Sequence, residues 1–329
     1  MDMRELGPSG IKVSPVALGT WAIGGGPWWG ASNDQESIAA IRSALDAGVN
    51  LVDTAPIYYF GHSERVVGRA LKEGYRAKAV VATKCGLPWF TDAPGPLWFE
   101  QDGHRVVSCC QASFIRREVE DSLRNLGTDV IDLYQIHLPQ QSGLDVPVDE
   151  TMGVLQDLKK AGKIRAVGVS NFTVQQMKDY LACGVVDALQ NKYSMLDRAA
   201  ESEVLPFCRE QNIAFLGYMP LEQGLLTGRI RPETELAPGS FRNSIRWYEP
   251  AWRAKICAML DGWSALTAKY ACTTAQLVIA WTAAQEGMTT VLCGARKTGN
   301  ALENAAAAKI TLSAEDRARM RTDLMALED

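Results

Sequence analysis

Apolar positions along this chain fall into two alternating patterns. Short continuous runs read as strands: "VALGT" (16–20), "NLVDTA" (50–55), "AVVATK" (79–84), "VIDLYQIH" (130–137), "IRAVGVSN" (164–171), "ALQNKYS" (188–194), "IAFLGYMP" (213–220) and "TTVLCGA" (289–295). Between them lie stretches whose apolar residues recur at helical spacing. These predict helices over 34–47, 62–73, 112–126, 149–161, 173–182, 200–211, near 251–270, then 273–286, 299–308 and 313–326. In the first of these Ile38, Ile41 and Leu45 share one face, Ser32 with Gln35 offers a capping start, and Gly48 offers a stop. Ahead of everything, "MRELG" and "IKVS" flank "GPSG" and read as a small hairpin.

Continuous apolar strands alternating with amphipathic helices imply a parallel sheet covered on both faces. Eight such units, with no linker or shift in composition between them, predict an α/β fold: a closed (β/α)8 TIM barrel, as one domain over 1–329. An open doubly wound sheet is the competing layout. It needs a glycine-rich dinucleotide turn after the first strand, and "GTWAIGGG" (19–26) lacks the G-x-G-x-x-G spacing. Two connections are long. Residues 85–111 carry Trp89, Phe90, Trp98 and Phe99, and residues 226–250 carry Arg229, Arg231, Arg242 and Trp247.

Composition narrows the picture. The 329 residues are 47% hydrophobic and 22% charged, ordinary for a globular protein. A net charge of −4 gives no global basic field for nucleic acid or anionic lipid, so an anionic ligand needs a local cluster. No apolar run approaches the ~18 residues of a membrane span, and "MDMRELGPSG" lacks a signal-peptide pattern. The eight cysteines are scattered with no C-x-x-C, which predicts reduced thiols in a cytoplasmic protein.

In a parallel barrel the strand ends converge on one mouth. Here those ends carry Asp53, Lys84, His137, Ser170 with Asn171, Gln190, Tyr218, and Gly294 to Arg296, with Tyr58 just beyond Asp53. An aspartate at a strand end can be a cap, a strand lysine can snorkel, and a histidine can be a satisfied core residue. Together they have a chemical reading: Asp53 pairs with Lys84, and the ammonium lowers the pKa of a nearby tyrosine into the range of a general acid or base. One histidine and one aspartate, with a lysine between, fall short of a metal site.

The motifs carrying these residues resemble the aldo-keto reductases over almost the whole chain. "DTAPIYYFGHSERVVGRAL" (53–71), "ATK", "YQIHLP", "IRAVGVSNF", "LQNKYSMLDR", "YMPLEQGLLTG" and "GARKTGNALEN" follow that family's blocks in order, nearest to bacterial NADP-dependent aldehyde or polyol oxidoreductases. The resemblance implies a barrel whose N-terminal hairpin closes the base, and a catalytic tetrad of Asp53, Tyr58, Lys84 and His137, the acid tyrosine lying five residues after the aspartate. It implies NADP (as NADPH) laid across the mouth. Ser170, Asn171 and Gln190 would meet its carboxamide and Tyr218 its ring. Thr20, Trp21 and Asp53 are further expected cofactor contacts, and the backbone of 220–228, with Pro220, Leu221, Gln223, Leu225 and Gly228, would cradle its pyrophosphate while Arg229 or Arg242 closes over it. Gly294, Ala295, Arg296, Asn300 and Asn304 would hold the adenosine end, with Arg296 on a 2′-phosphate. Trp21, Trp29, Tyr59 and Trp89 are the expected walls for a small carbonyl or alcohol substrate, in a monomer or homo-oligomer. Tyr59 stands where many relatives have glycine. Two other readings compete: a cofactor-holding binding module that turns over slowly, and a Schiff-base lyase using Lys84.

Overall fold

The computed structural model describes residues 1–237 and 240–327. Two antiparallel strands, β1 (Arg4–Glu5) and β2 (Lys12–Val13), form the opening hairpin. They precede β3 (Val16–Gly19), β4 (Leu51–Asp53) and β5 (Val80–Cys85). A second hairpin, β6 (Leu97–Gln101) and β7 (His104–Val107), stands in the connection that follows. The chain continues through β8 (Ile131–Ile136), β9 (Ile164–Ser170), β10 (Ala188–Lys192), β11 (Ala214–Tyr218) and β12 (Met288–Gly294). β3, β4, β5, β8, β9, β10, β11 and β12 are parallel and close on themselves as a barrel, with helices between them.

Because side chains alternate along a strand, every second residue points into the barrel. The inward set near the base is apolar: Ala17, Leu51, Val80, Ala82, Leu133, Ala166, Ala188, Ala214, Leu216 and Leu292 form one buried cluster. Leu6, Ile11 and Val13 of the opening hairpin belong to the same cluster, so the hairpin plugs the lower end. Arg4 fastens it by donating to the carbonyls of Ala283 and Met288 at 2.9 and 2.8 Å. The outward residues of the same strands pack against the helices in a second, larger core that contains Trp263 and Trp281. Each fully buried aliphatic side chain contributes roughly 1.5–3 kcal/mol. Among the described residues no helix is long and apolar enough to cross a membrane.

Local chemistry shifts several predicted boundaries. The helix Asp34–Asp46 is capped by Asn33, not Ser32; the Asn33 side chain accepts from the N–H groups of Gln35 and Glu36. The stretch expected as one helix over 200–211 is a short 3-10 turn, Ala199–Glu201, and a helix Val204–Glu210. Pro206 has no N–H to give and is tolerated only in a first turn, so the helix starts late. The stretch near 251–270 splits into Pro250–Asp261 and Ser264–Lys269. The long connection after β5 is not irregular throughout. Asp102 and Gly103, both at positive φ (50° and 77°), turn β6 into β7, the two-residue turn that suits strand twist.

Candidate functional site

The mouth of the barrel carries the next layer of the same alternation. Two residues beyond Leu51 comes Asp53; beyond Ala82, Lys84; beyond Leu133, Gln135; beyond Ala188, Gln190; beyond Leu216, Tyr218. The register sets Lys84 beside Gln135 and Gln190 beside Ser170. A polar ring therefore sits directly on an apolar floor.

The Lys84 ammonium, 1% exposed, has three protons and three partners. It bonds both oxygens of Asp53 (3.0 and 2.8 Å), the Thr54 carbonyl (2.9 Å) and the Tyr58 hydroxyl (3.1 Å). Burial disfavours its charge, but Asp53 and Tyr58 outweigh burial and hold its pKa above the ordinary lysine value. The expected lowering of the Tyr58 pKa is not what the fold produces. Burial dominates and pushes the phenol above its usual value; Lys84 pulls it back, and Asp53 adds to the rise. Tyr58 is thus a neutral phenol at physiological pH, backed by a cation that stabilises it most once its proton has left. His137 faces it edge-on, with ring centroids 5.9 Å apart. Burial first, and the Lys84 charge second, depress the His137 pKa well below 6.5, so its imidazole is neutral. Such a group offers a hydrogen bond without a charge.

Trp21 lies 6.3 Å from Tyr58 and 5.2 Å from Trp29, ring to ring. Both tryptophans stand on short helical turns, Trp21–Gly24 and Gly26–Trp29, where a plain loop was expected. Tyr59 points elsewhere than Tyr58. Its backbone is left-handed (φ 58°) and its ring lies against Gly26, where a Cβ would come within 2.7 Å of it. Tyr59 thus braces the first loop and is 39% exposed at the rim. Trp89 meets Phe60 edge-on, with ring centroids 5.5 Å apart. Trp28 crosses the mouth to donate to Gln101 of β6 (3.1 Å).

On the other side of the mouth, Asn171 takes a left-handed turn (φ 64°) at the end of β9. It accepts from the Tyr218 hydroxyl (2.7 Å) and donates to the His137 carbonyl and Ser170 Oγ (3.0 Å each). Ser170 donates to the Gln190 carbonyl at 2.8 Å. Gln190 donates through Nε2 to Asp53 Oδ1 at 2.8 Å. Its amide is thus already part of the ion-pair network rather than free at the surface. Thr20 is buried, and its hydroxyl donates to the Asp53 carbonyl (2.9 Å).

A cavity of about 180 Å³ opens beside Trp21, Trp28, Trp29, Gln223, Ser240, Arg242 and Arg296. Two guanidiniums therefore face one space. Arg296 donates to the carbonyls of Trp29 (3.0 Å) and Ala31 (3.2 Å), and Arg242 to that of Gln223 (2.8 Å). The buried indole N–H of Trp29 finds no partner among the described residues. Arg229 lies outside this cavity's lining and pairs with Glu303. Leu225 is fully buried in the outer core, Pro220 and Ala295 are buried, and Leu221 and Gly228 are half-buried. Gly294 and Asn300 are exposed, while Asn304 is buried and donates to the Gly294 carbonyl at 3.4 Å. An amide-and-hydroxyl cluster at one end and a cationic, aromatic-walled cavity at the other fit an elongated ligand with a flat polar ring and an anionic tail.

The sequence reading passed over Gln135, which also donates to Asp53 Oδ1 (3.2 Å). The signal was present: in "IDLYQIH" the alternation that sends Leu133 inward sends Gln135 inward too.

Comparison with known proteins agrees with this geometry. A model described as "Aldo/keto reductase family" matches residues 15–322. The chain is 42% identical to the NADH-specific methylglyoxal reductase of Escherichia coli (strain K12), over 100% of both chains. The glycerol dehydrogenase AKR11B4 from Gluconobacter oxydans superposes with a TM-score of 0.87 at 35% identity, covering 99% of this chain and 95% of that one. An aldo/keto reductase from Klebsiella pneumoniae, solved with NADP and acetate, superposes with a TM-score of 0.72 at 27% identity, covering 97% and 94%.

Proposed function

Because the chain belongs to the aldo/keto reductase family, an oxidoreductase family that acts on carbonyls with a nicotinamide cofactor, we propose that it interconverts a small carbonyl and its alcohol with Tyr58 as general acid and base. The single observation that carries this reading is the 3.1 Å bond between the Tyr58 hydroxyl and the buried Lys84 ammonium. A bound nicotinamide cofactor supplies or accepts the hydride. In reduction Tyr58 hands its proton to the carbonyl oxygen, and Lys84 stabilises the phenolate left behind. Asp53 keeps Lys84 charged, and neutral His137 orients the oxygen by hydrogen bonding. In oxidation the phenolate takes the alcohol proton. Trp21, Trp29 and the rim residue Tyr59 exclude water and favour small aldehydes or polyols.

Ser170, Asn171, Gln190 and Tyr218 would hold the nicotinamide end. Gln223, Arg242 and Arg296 would hold the anionic end, with Asn304, bonded to the Gly294 carbonyl, at the adenosine side. Two guanidiniums on one cavity favour NADP(H), since an arginine fork suits a 2′-phosphate. A second reading, NADH, is favoured by the 42%-identical relative of that name and by the use of Arg296 Nη1 on the Trp29 and Ala31 carbonyls. All eight cysteines are free, which supports a reducing, cytosolic setting, and the chain is read as one barrel domain over 1–329.

The test is cofactor consumption across small aldehydes, ketones and polyols with wild type, Tyr58→Phe and Arg296→Ala. Tyr58→Phe should lose about 10²–10⁴ of kcat while cofactor affinity holds; full activity would remove Tyr58 from the chemistry. Arg296→Ala should weaken NADPH far more than NADH, and equal losses would select the NADH reading.

A further inference from the structure

Asp53 lies where four strands' worth of polar side chains meet. Its Oδ1 accepts from Lys84, Gln190 and Gln135, from β5, β10 and β8, while Oδ2, among the described residues, accepts from Lys84 alone. Gln135 is fully buried. An uncharged amide in such a place costs free energy unless its bonds are made. It makes them on both sides: Nε2 donates to Asp53, and Oε1 accepts from Gln190 Nε2 at 3.5 Å. Its stem is seated against Gly168 of the next strand, where a Cβ would come within 2.8 Å of Gln135 Cγ. The fold thus leaves a side chain out of β9 to make room for this amide.

We propose that Gln135 is a positioning residue for the reaction proposed above: wedged beside Gly168, its amide fixes the Asp53 carboxylate so that the Lys84 ammonium stays aimed at the Tyr58 hydroxyl. The inference rests on that reading of the site. The argument is one of counting protons. Lys84 has three, and they are divided among Asp53, the Thr54 carbonyl and Tyr58. Two of those acceptors are held by backbone or by the tyrosine turn. The third acceptor, the Asp53 carboxylate, sits on a rotatable side chain, and besides Lys84 itself it is the two glutamine amides on Oδ1 that fix its orientation. The same amides spread the carboxylate's charge, which otherwise opposes ionisation of Tyr58. The charged and titratable groups around that hydroxyl are Asp53 on β4, Lys84 on β5, His137 beyond β8 and Tyr218 on β11. Gln135 carries no charge, so it acts through Asp53 alone.

Gln135→Met keeps length and volume and removes the donor. It should lower kcat by about 10- to 100-fold with KM within about twofold, the signature of a group that matters in the transition state. In the protein without ligands, the Tyr58 phenol should also titrate about one pH unit higher, read as tyrosinate absorbance after subtracting the same variant carrying Tyr58→Phe. Gln135→Glu supplies a donor only when protonated. Its kcat should approach wild type at acidic pH and fall as the new carboxyl ionises against Asp53. An unmoved tyrosinate titration with kcat within about twofold of wild type would overturn the proposal. So would a Gln135→Glu profile parallel to wild type, and this variant decides the matter if Gln135→Met does not fold. A loss of melting temperature with neither change would mark Gln135 as packing only. Full activity in Tyr58→Phe would instead sink the reaction reading, and the unliganded titration would still report on Gln135.

Discussion

The base and the mouth of this barrel are built from the same strands, one layer apart, and they are opposites. At the base, Leu51, Val80, Ala82, Leu133 and Ala188 meet the hairpin residues Leu6, Ile11 and Val13 in a buried apolar cluster. Two residues further along the same strands, Asp53, Lys84, Gln135 and Gln190 form a hydrogen-bonded polar ring that is just as buried. The lower layer stabilises by area removed from water. The upper layer gains little from being charged, because desolvating an ion pair cancels much of its attraction. On the function proposed above, the polar layer is kept for chemistry, and the contrast teaches that its stability is borrowed from the layer beneath.

The largest expected effect comes from breaking the upper layer on one side only. Lys84→Met leaves Asp53 buried without its cation and should cost about 3–5 kcal/mol of stability, measured by urea denaturation, together with nearly all carbonyl reduction. Adding Asp53→Asn should return most of the stability and none of the activity. Recovery of activity in that double variant would contradict the division of labour between layers. Next is the lower layer: Leu133→Ala should cost about 2–5 kcal/mol while kcat, measured well below the melting temperature, stays within about twofold. A large fall in kcat would mean that the floor also aims the ring above it.

The smallest effect concerns a buried carboxyl beside the mouth with no cation paired to it among the described residues. Glu118, on the helix Ala112–Leu126, accepts from the Gly86 N–H at 2.9 Å. Burial raises its pKa from 4.5 to about 8, against the pull of the Gly86 and Leu87 amides. The folded state therefore keeps this proton where the unfolded state releases it. The stability the proton confers is complete below pH 4.5 and is lost as pH rises from 4.5 toward about 8. Glu118→Gln should flatten that part of the melting temperature–pH curve. A curve parallel to wild type would show that Glu118 is ionised in the native protein.

Much of this contrast was readable in the chain. The continuous apolar runs specified the eight strands, and the polar residues at their ends specified Asp53, Lys84 and His137, which the structure brings round Tyr58. One residue that escaped depends on counting in twos. Gln135 sits one residue inside the apolar run of β8, and a reading that stops at strand ends misses it. The β6–β7 hairpin carried its turn in "DG" at 102–103, masked by the proline-rich stretch before it. The pKa direction of Tyr58 was misjudged because a sequence displays the neighbouring charge but not the depth of burial, and burial proved the larger influence. Likewise the engagement of Gln190 with Asp53 and of Arg296 with the Trp29 carbonyl depends on contacts across the barrel.

The bond from Arg296 to the main chain of Trp29 makes two traits inseparable. A guanidinium that faces the cationic cavity also pins the aromatic turn beside Tyr58. On the reading proposed above, a replacement of Arg296 chosen to retune coenzyme preference should also loosen that turn and alter which substrates fit. Under that proposal one side chain carries both traits, and a change of coenzyme should arrive with a change of clientele.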